Sequence, residues 1–177
     1  EVGHLGEQIL KMMLLAQQGM HKRDISVLTE LERQDDAADL LHAEINGYLN
    51  RVGKGHLTEE ESREYFRISQ ANANLESIGD VLETDLASLG YKWVDLKMHA
   101  SETMQMLLND LFEGVFEGLE CAVKTIKDND LVAAQQIISM KGEINLRVNA
   151  ALEHQAHSLA ESRETRLETL NAEFELT

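Results

Sequence analysis

Residues 74–85 read NLESIGDVLETD, and on a helix Glu76, Asp80 and Glu83 fall at i, i+4 and i+7, three carboxylates stacked on one face beside Gly79. A second row lies upstream: Glu32, Asp35 and Asp39 sit at i, i+3 and i+7, with His42 extending the line. Like charges one turn apart destabilise a helix by about 0.2–0.5 kcal/mol per pair. A glycine inside a helix costs about 1 kcal/mol against alanine. A bound cation would turn the repulsion into attraction, because carboxylates held on rigid helices suit hard or borderline ions and can bridge two or more of them, and Gly79 would allow close approach of a neighbouring helix or leave space beside the site. The same spacing also describes an ordinary solvated face on a chain with a formal charge of −16. Spacing alone leaves both readings open.

Other residue clusters point away from chemistry. His154 and His157 share an i, i+3 face but have no acidic neighbour on that row, so a zinc site is not expected there. His42 reads as a surface or boundary histidine rather than a ligand. The methionines Met12, Met13, Met104 and Met106 read as core or core-edge filling, and Trp93 as a packing anchor. There is no glycine-rich phosphate loop, no GxSxG and no HExxH, and the only Glu three places before a His is Glu1 before His4. Neither catalysis nor a di-iron centre with paired ExxH motifs is expected. The negative charge repels nucleic acid and anionic lipid, so no nucleic-acid partner and no direct lipid binding are expected, and a phosphate-bearing partner calls for a bridging cation.

The elements that would position the acids are helices. The chain has no proline, 5% aromatic residues and 43% hydrophobic residues over 177 positions, which favours an all-α fold. Leu5, Ile9, Met13, Ala16 and Met20 follow helical spacing up to HKRD. Asp24 is placed to cap a second helix that carries Leu28, Leu31, Ala38, Leu41, Ile45 and Leu49 and ends at RVGKGH. Thr58 with Glu61 has the capping-box pattern, and a third helix runs through Ile68, Leu75, Ile78, Leu82 and Leu86 to a stop at Gly90. The acidic rows flank the apolar faces of helices two and three, so adjacent antiparallel packing would bring them to a common groove. Further helices are expected over about 96–126 and 130–158, with a sixth from near Glu161 to the end.

The second half repeats the first in a single ungapped register. Leu5, Ile9, Met13, Ala16 and Met20 fall on Leu111, Val115, Leu119, Ala122 and Ile126, and Asp24 falls on Asp130. Leu31, Ala38, Leu40 and Ile45 then meet Ile137, Ile144, Leu146 and Ala151, read as persisting core positions. Two three-helix units in tandem result, residues 1–90 and 91–177, sharing one body, with the second unit incomplete at its C-terminus. Cys121, alone and in the apolar context LECAVKTI, reads as a buried thiol of a reducing compartment. No stretch approaches 18 apolar residues and no signal-type leader is seen, so a cytoplasmic location is expected, while the start at Glu1 suggests an excised piece.

NLESIGDVLETDL resembles the ERIGD segment of PhoU-like proteins, and DDAADLLHAEI resembles the DxxxD segment that precedes it in that family. The resemblance implies multinuclear metal binding by paired (D/E)xxxD motifs, carried here by Asp35, Asp39, Glu76 and Asp80, with Asp36 and Glu83 as outer members; iron or zinc, as a divalent or ferric ion, is the implied cofactor. In the second unit Lys141 and Asn145 stand where the repeat places Asp35 and Asp39, which puts a second cluster in doubt. This asymmetry is most similar to the C-terminal PhoU-like domain of bacterial sodium/phosphate cotransporters. The resemblance then implies a cytoplasmic regulatory domain controlling phosphate uptake, its partner a membrane phosphate permease in the same full-length chain, with homodimerisation open. The alternative is a stand-alone PhoU-type accessory protein that negatively regulates phosphate uptake and signalling. A third reading, a metal-carboxylate enzyme resembling a phosphatase or oxidase, lacks a recognisable base or nucleophile.

Overall fold

The computed structural model describes residues 1–97 and 99–161, and among them every regular element is helical. The order is α1 (Val2–Lys22), α2 (Ile25–Val52), α3 (Glu59–Asp80), a π-helical segment (Val81–Leu86), α4 (Ala87–Asp95), α5 (Glu102–Asp128) and α6 (Leu131–Glu161). The all-α expectation holds. The expected sixth helix beyond Glu161 lies outside the described residues.

Local chemistry sets most boundaries. Asp24 caps α2 by accepting from the Ser26 backbone N–H at 2.9 Å. The full capping box closes on α3, where the Thr58 hydroxyl accepts from Glu61 N–H and the Glu61 carboxylate accepts from Thr58 N–H. Glu59, Glu60 and Glu61 occupy the first turn of α3, where the helix dipole favours negative charge. Asp130 caps α6 through the N–H groups of Val132 and Ala133.

The core is organised around α1, which packs against α2, α3, α4 and α5. Its Leu5, Ile9, Met12 and Ala16 are fully buried, and Leu31, Ala38 and Ile45 of α2 with Leu75 and Leu82 complete the same cluster. Each large side chain taken fully out of water contributes about 1.5–3 kcal/mol, so this cluster dominates the fold's stability. Trp93 is the packing anchor its context suggests, in a smaller cluster with Leu89, Ala100 and Met104. The second half contributes α5, which lies on α1, and α6, which packs along α5.

Several expectations are corrected. The third helix does not stop at Gly90; it passes through the π segment and continues to Asp95. Gly90 is there for space, since a Cβ would sit 2.9 Å from both Leu28 methyl carbons. A Cβ on Gly19 of α1 would likewise sit 2.5 Å from Leu28 Cδ2, so Leu28 packs against two glycines. The following helix begins at Glu102 rather than near 96, because Ser101 accepts from Met104 N–H and fixes the start. Met106 is 64% exposed and not part of the core, and the Cys121 thiol is only half-buried. Leu40 and Leu146 are not core positions either: they are 70% and 69% exposed, on the outer faces of α2 and α6.

Gly90→Ala should destabilise the protein by about 1–3 kcal/mol in denaturant unfolding although alanine is the better helix former, because Leu28 also packs against Gly19. Pairing it with Leu28→Ala should make the two effects strongly non-additive, with the glycine substitution nearly harmless once the leucine side chain is gone. Additive losses would refute this contact.

Candidate metal centre

The acids meet because α2 and α3 pack side by side in opposite directions. Asp35 and Asp39 lie one turn apart on α2, Glu76 and Asp80 one turn apart on α3, and the antiparallel register sets Asp39 against the acids of α3. One carboxylate oxygen from each of Asp39, Glu76 and Asp80 lies within 4.8 Å of the others. Among the described residues this is the one group of three such side chains close enough to share a metal ion.

Asp35 completes the row at its more buried end. Gly79 permits its approach: a Cβ there would be 3.3 Å from Asp35 Oδ1 and 3.1 Å from Ile9 Cδ1, so a side chain would push α3 off both the carboxylate and the core. Burial first, and then the charges of Asp39, Glu83, Asp80 and Asp36, together raise the Asp35 pKa from an ordinary 3.8 to about 6. No described cation answers this charge, since none of Asp35, Asp39, Glu76 and Asp80 forms an ion pair with a described residue. Asp36 and Glu83 are therefore near enough for their charge to be felt at Asp35, as outer members would be, while Glu32 stands outside the converging trio. Glu83 sits in the π segment that begins directly after Asp80 and accepts a hydrogen bond from the Thr84 hydroxyl at 2.9 Å. Such π turns recur at functional sites.

The seam continues away from the acids as neutral polar groups. Asn72 of α3, with no exposed surface, donates from Nδ2 to Asn46 Oδ1 at 3.1 Å, and Asn46 Nδ2 donates to His42 Nε2 at 2.7 Å. The pattern held a signal for Asn72 that reading by chemistry passed over: it occupies the core register of Leu75, Gly79 and Leu82, where a polar residue is out of place. His154 is engaged elsewhere, with its Nε2 3.1 Å from the Ser101 hydroxyl. Lys141 and Asn145 are exposed on α6.

The chain matches the PhoU domain family over residues 2–84, a span that contains both acidic rows and the whole α2–α3 seam. That first half of the chain is PhoU-like. It is also similar to proteins described as "Putative inorganic phosphate export protein YjbB". The Escherichia coli (strain K12) protein is 25% identical over 136 residues, 77% of this chain and 24% of that protein. The Salmonella typhimurium protein is 27% identical over 139 residues, 77% of this chain and 25% of that protein. The chain thus spans about a quarter of the length of the curated relatives it matches. No solved structure matches it. Among the described residues no helix is long and apolar enough to cross a membrane.

The raised Asp35 pKa has a definite consequence for stability. Between the unfolded value near 3.8 and the folded value of about 6 the native state holds a proton that the unfolded chain has lost. Asp35 therefore destabilises the metal-free protein progressively as pH rises through that window, and fully above it. In chelator, the melting temperature of Asp35→Asn minus that of the parent should be near zero at about pH 4, grow towards pH 6 and then level off. A difference independent of pH would show that the carboxylate is not strained by its neighbours.

Proposed function

We propose that this chain is the cytoplasmic regulatory domain of a sodium-dependent phosphate transporter and that it acts by binding rather than turnover. Phosphate enters the reading through the relatives, which are described as phosphate export proteins and are about four times as long as the matched segment. A PhoU-like domain within a larger transport protein fits that proportion better than a free-standing accessory protein. The permease in the same full-length chain is the proposed partner, and control of phosphate movement through it the proposed role.

The observation that carries the mechanistic part is the convergence of Asp39, Glu76 and Asp80, with Asp35 beside them, and no described cation paired to any of the four. The donor set is all oxygen and strongly negative, so the residues fit a hard or borderline cation; iron or zinc, as a divalent or ferric ion, is the proposed occupant. Asp39, Glu76 and Asp80 would hold it, Asp35 would join on losing its proton, and Asp36 and Glu83 would add charge at the rim. When bound, the ion supplies positive charge that turns repulsion between α2 and α3 into attraction and can receive phosphate oxygens on a protein that otherwise repels them. Because Asp35 must give up its proton to join, affinity should rise with pH up to about 6.

The test is metal content by mass spectrometry in protein purified without chelator, alongside thermal unfolding. Near-stoichiometric iron or zinc is expected in the parent and loss of it in the Asp35→Asn, Glu76→Gln double variant, which removes charge at nearly constant shape. Metal should raise the parent's melting temperature in proportion to the logarithm of its concentration over Kd. A parent that takes up no metal after loading, with a double variant of equal or higher stability, would leave the row as a repulsive acidic face.

A further inference from the structure

The His42–Asn46–Asn72 relay fixes more than packing. Two atoms in it are buried without a hydrogen-bond partner, His42 Nδ1 and Asn72 Oδ1. The three side chains can be hydrogen-bonded in two directions, because amide oxygen and nitrogen can exchange places and imidazole can hold its proton on either nitrogen. With Asn72 donating to Asn46 and Asn46 donating to His42 Nε2, the acceptor nitrogen is Nε2. A neutral His42 then carries its proton on Nδ1. The reverse direction would place a buried amide N–H pair at the Asn72 oxygen position and a bare lone pair at Nδ1. A carboxylate brought to Nδ1 would decide between them, since it can satisfy a donor there and cannot satisfy a lone pair.

Asp39 is the carboxylate whose spacing on the helix suits that role. It lies three residues before His42 on the same helix face, the spacing at which helical side chains meet, and it is exposed enough to change rotamer freely. We propose that His42 is a positioning residue: its Nδ1–H donates to Asp39 and holds that carboxylate in the orientation the metal requires, with Asn46 and Asn72 fixing the imidazole from behind. The part concerning metal rests on the centre proposed above. Metal-binding side chains commonly depend on such outer hydrogen bonds, whose loss weakens binding by about 10–100-fold. His42 itself does not join the trio: neither ring nitrogen shares its 4.8 Å neighbourhood.

Two measurements separate this inference from the metal reading. In the metal-free, isotope-labelled protein at a pH where imidazole is neutral, long-range proton–nitrogen correlation should show His42 as the Nδ1–H tautomer. That proton should be protected from exchange, and Asp39→Asn should shift its resonance. The Nε2–H tautomer, or a proton indifferent to Asp39→Asn, would overturn the proposal whether or not metal binds. Zinc titration then reads the consequence: His42→Ala should weaken binding about 10–100-fold, and His42→Gln, which retains a donor, should recover most of it. Circular dichroism and melting curves should show both variants folded; zinc affinity unchanged in His42→Ala would also overturn the proposal. A parent that binds no zinc would sink the metal centre, while the tautomer and its response to Asp39→Asn would still decide the Asp39–His42 bond.

Discussion

The antiparallel contact of α2 with α3 forces like charges together, and the rest of the first half is arranged around that constraint. On both helices the acids alternate with residues that must be buried: Asp35 and Asp39 flank Ala38, while Glu76 and Asp80 lie between Leu75 and Leu82. Burying those apolar side chains against Ile9, Met12 and Leu31 brings the carboxylates with them. Hydrophobic burial of this extent is worth several kcal/mol, against a few tenths for each repulsive pair on a helix surface. The repulsion is therefore carried rather than relieved. It is visible at Asp35, which is held above the usual carboxylate range by burial first and by its acidic neighbours second.

Along the α2–α3 seam the chemistry is graded. At one end Asp35, Asp39, Asp80 and Glu76 supply negative charge; further along, Asn46 and Asn72 supply neutral amides, with His42 at the boundary. Neutral polar groups tolerate full burial when hydrogen-bonded, whereas carboxylates do not without a counter-charge. This explains why Asn72 has no exposed surface and Asp39 and Asp80 do. Gly79 lies at the crowded end, where a missing side chain lets one helix accept the other's carboxylate. The core thus fixes the backbone positions from which the acids project, while Asp39 and Asp80 remain exposed.

The second half follows the same register with a different outcome. Leu40 and Leu146 occupy equivalent places in the repeat and are exposed to nearly the same degree, while Ile45 and Ala151 are both buried. At these positions the repeat carries inside and outside alike, whereas Ile9 is fully buried and its counterpart Val115 is 40% exposed. At the places of Asp35 and Asp39, however, α6 presents Lys141 and Asn145 on an exposed face. A lysine supplies positive charge of its own and takes no part in oxygen-donor chemistry, so the repeat shares a helical frame without sharing the acidic seam.

The sequence by itself determined what depends on neighbours along the chain. Helical periodicity, the Asp24 cap, the Thr58–Glu61 box and the spacing of the acids within each helix are local, with partners within about one turn. Gly90 was misread because a glycine that ends a helix and one that admits a neighbouring side chain look alike in a chain; only the position of Leu28 tells them apart. Met106 fits an apolar helix by type, yet its burial depends on what lies opposite, and nothing covers it among the described residues. Tertiary structure alone decided the register of α2 against α3. That register turns two separate acidic rows into one convergent group, raises the pKa of Asp35, and gives Asn46 a hydrogen-bond partner, Asn72, on another helix. Spacing along one helix fixes which side chains share a face; which faces meet is settled by the burial of apolar residues from several helices at once, and that is a property of the whole core.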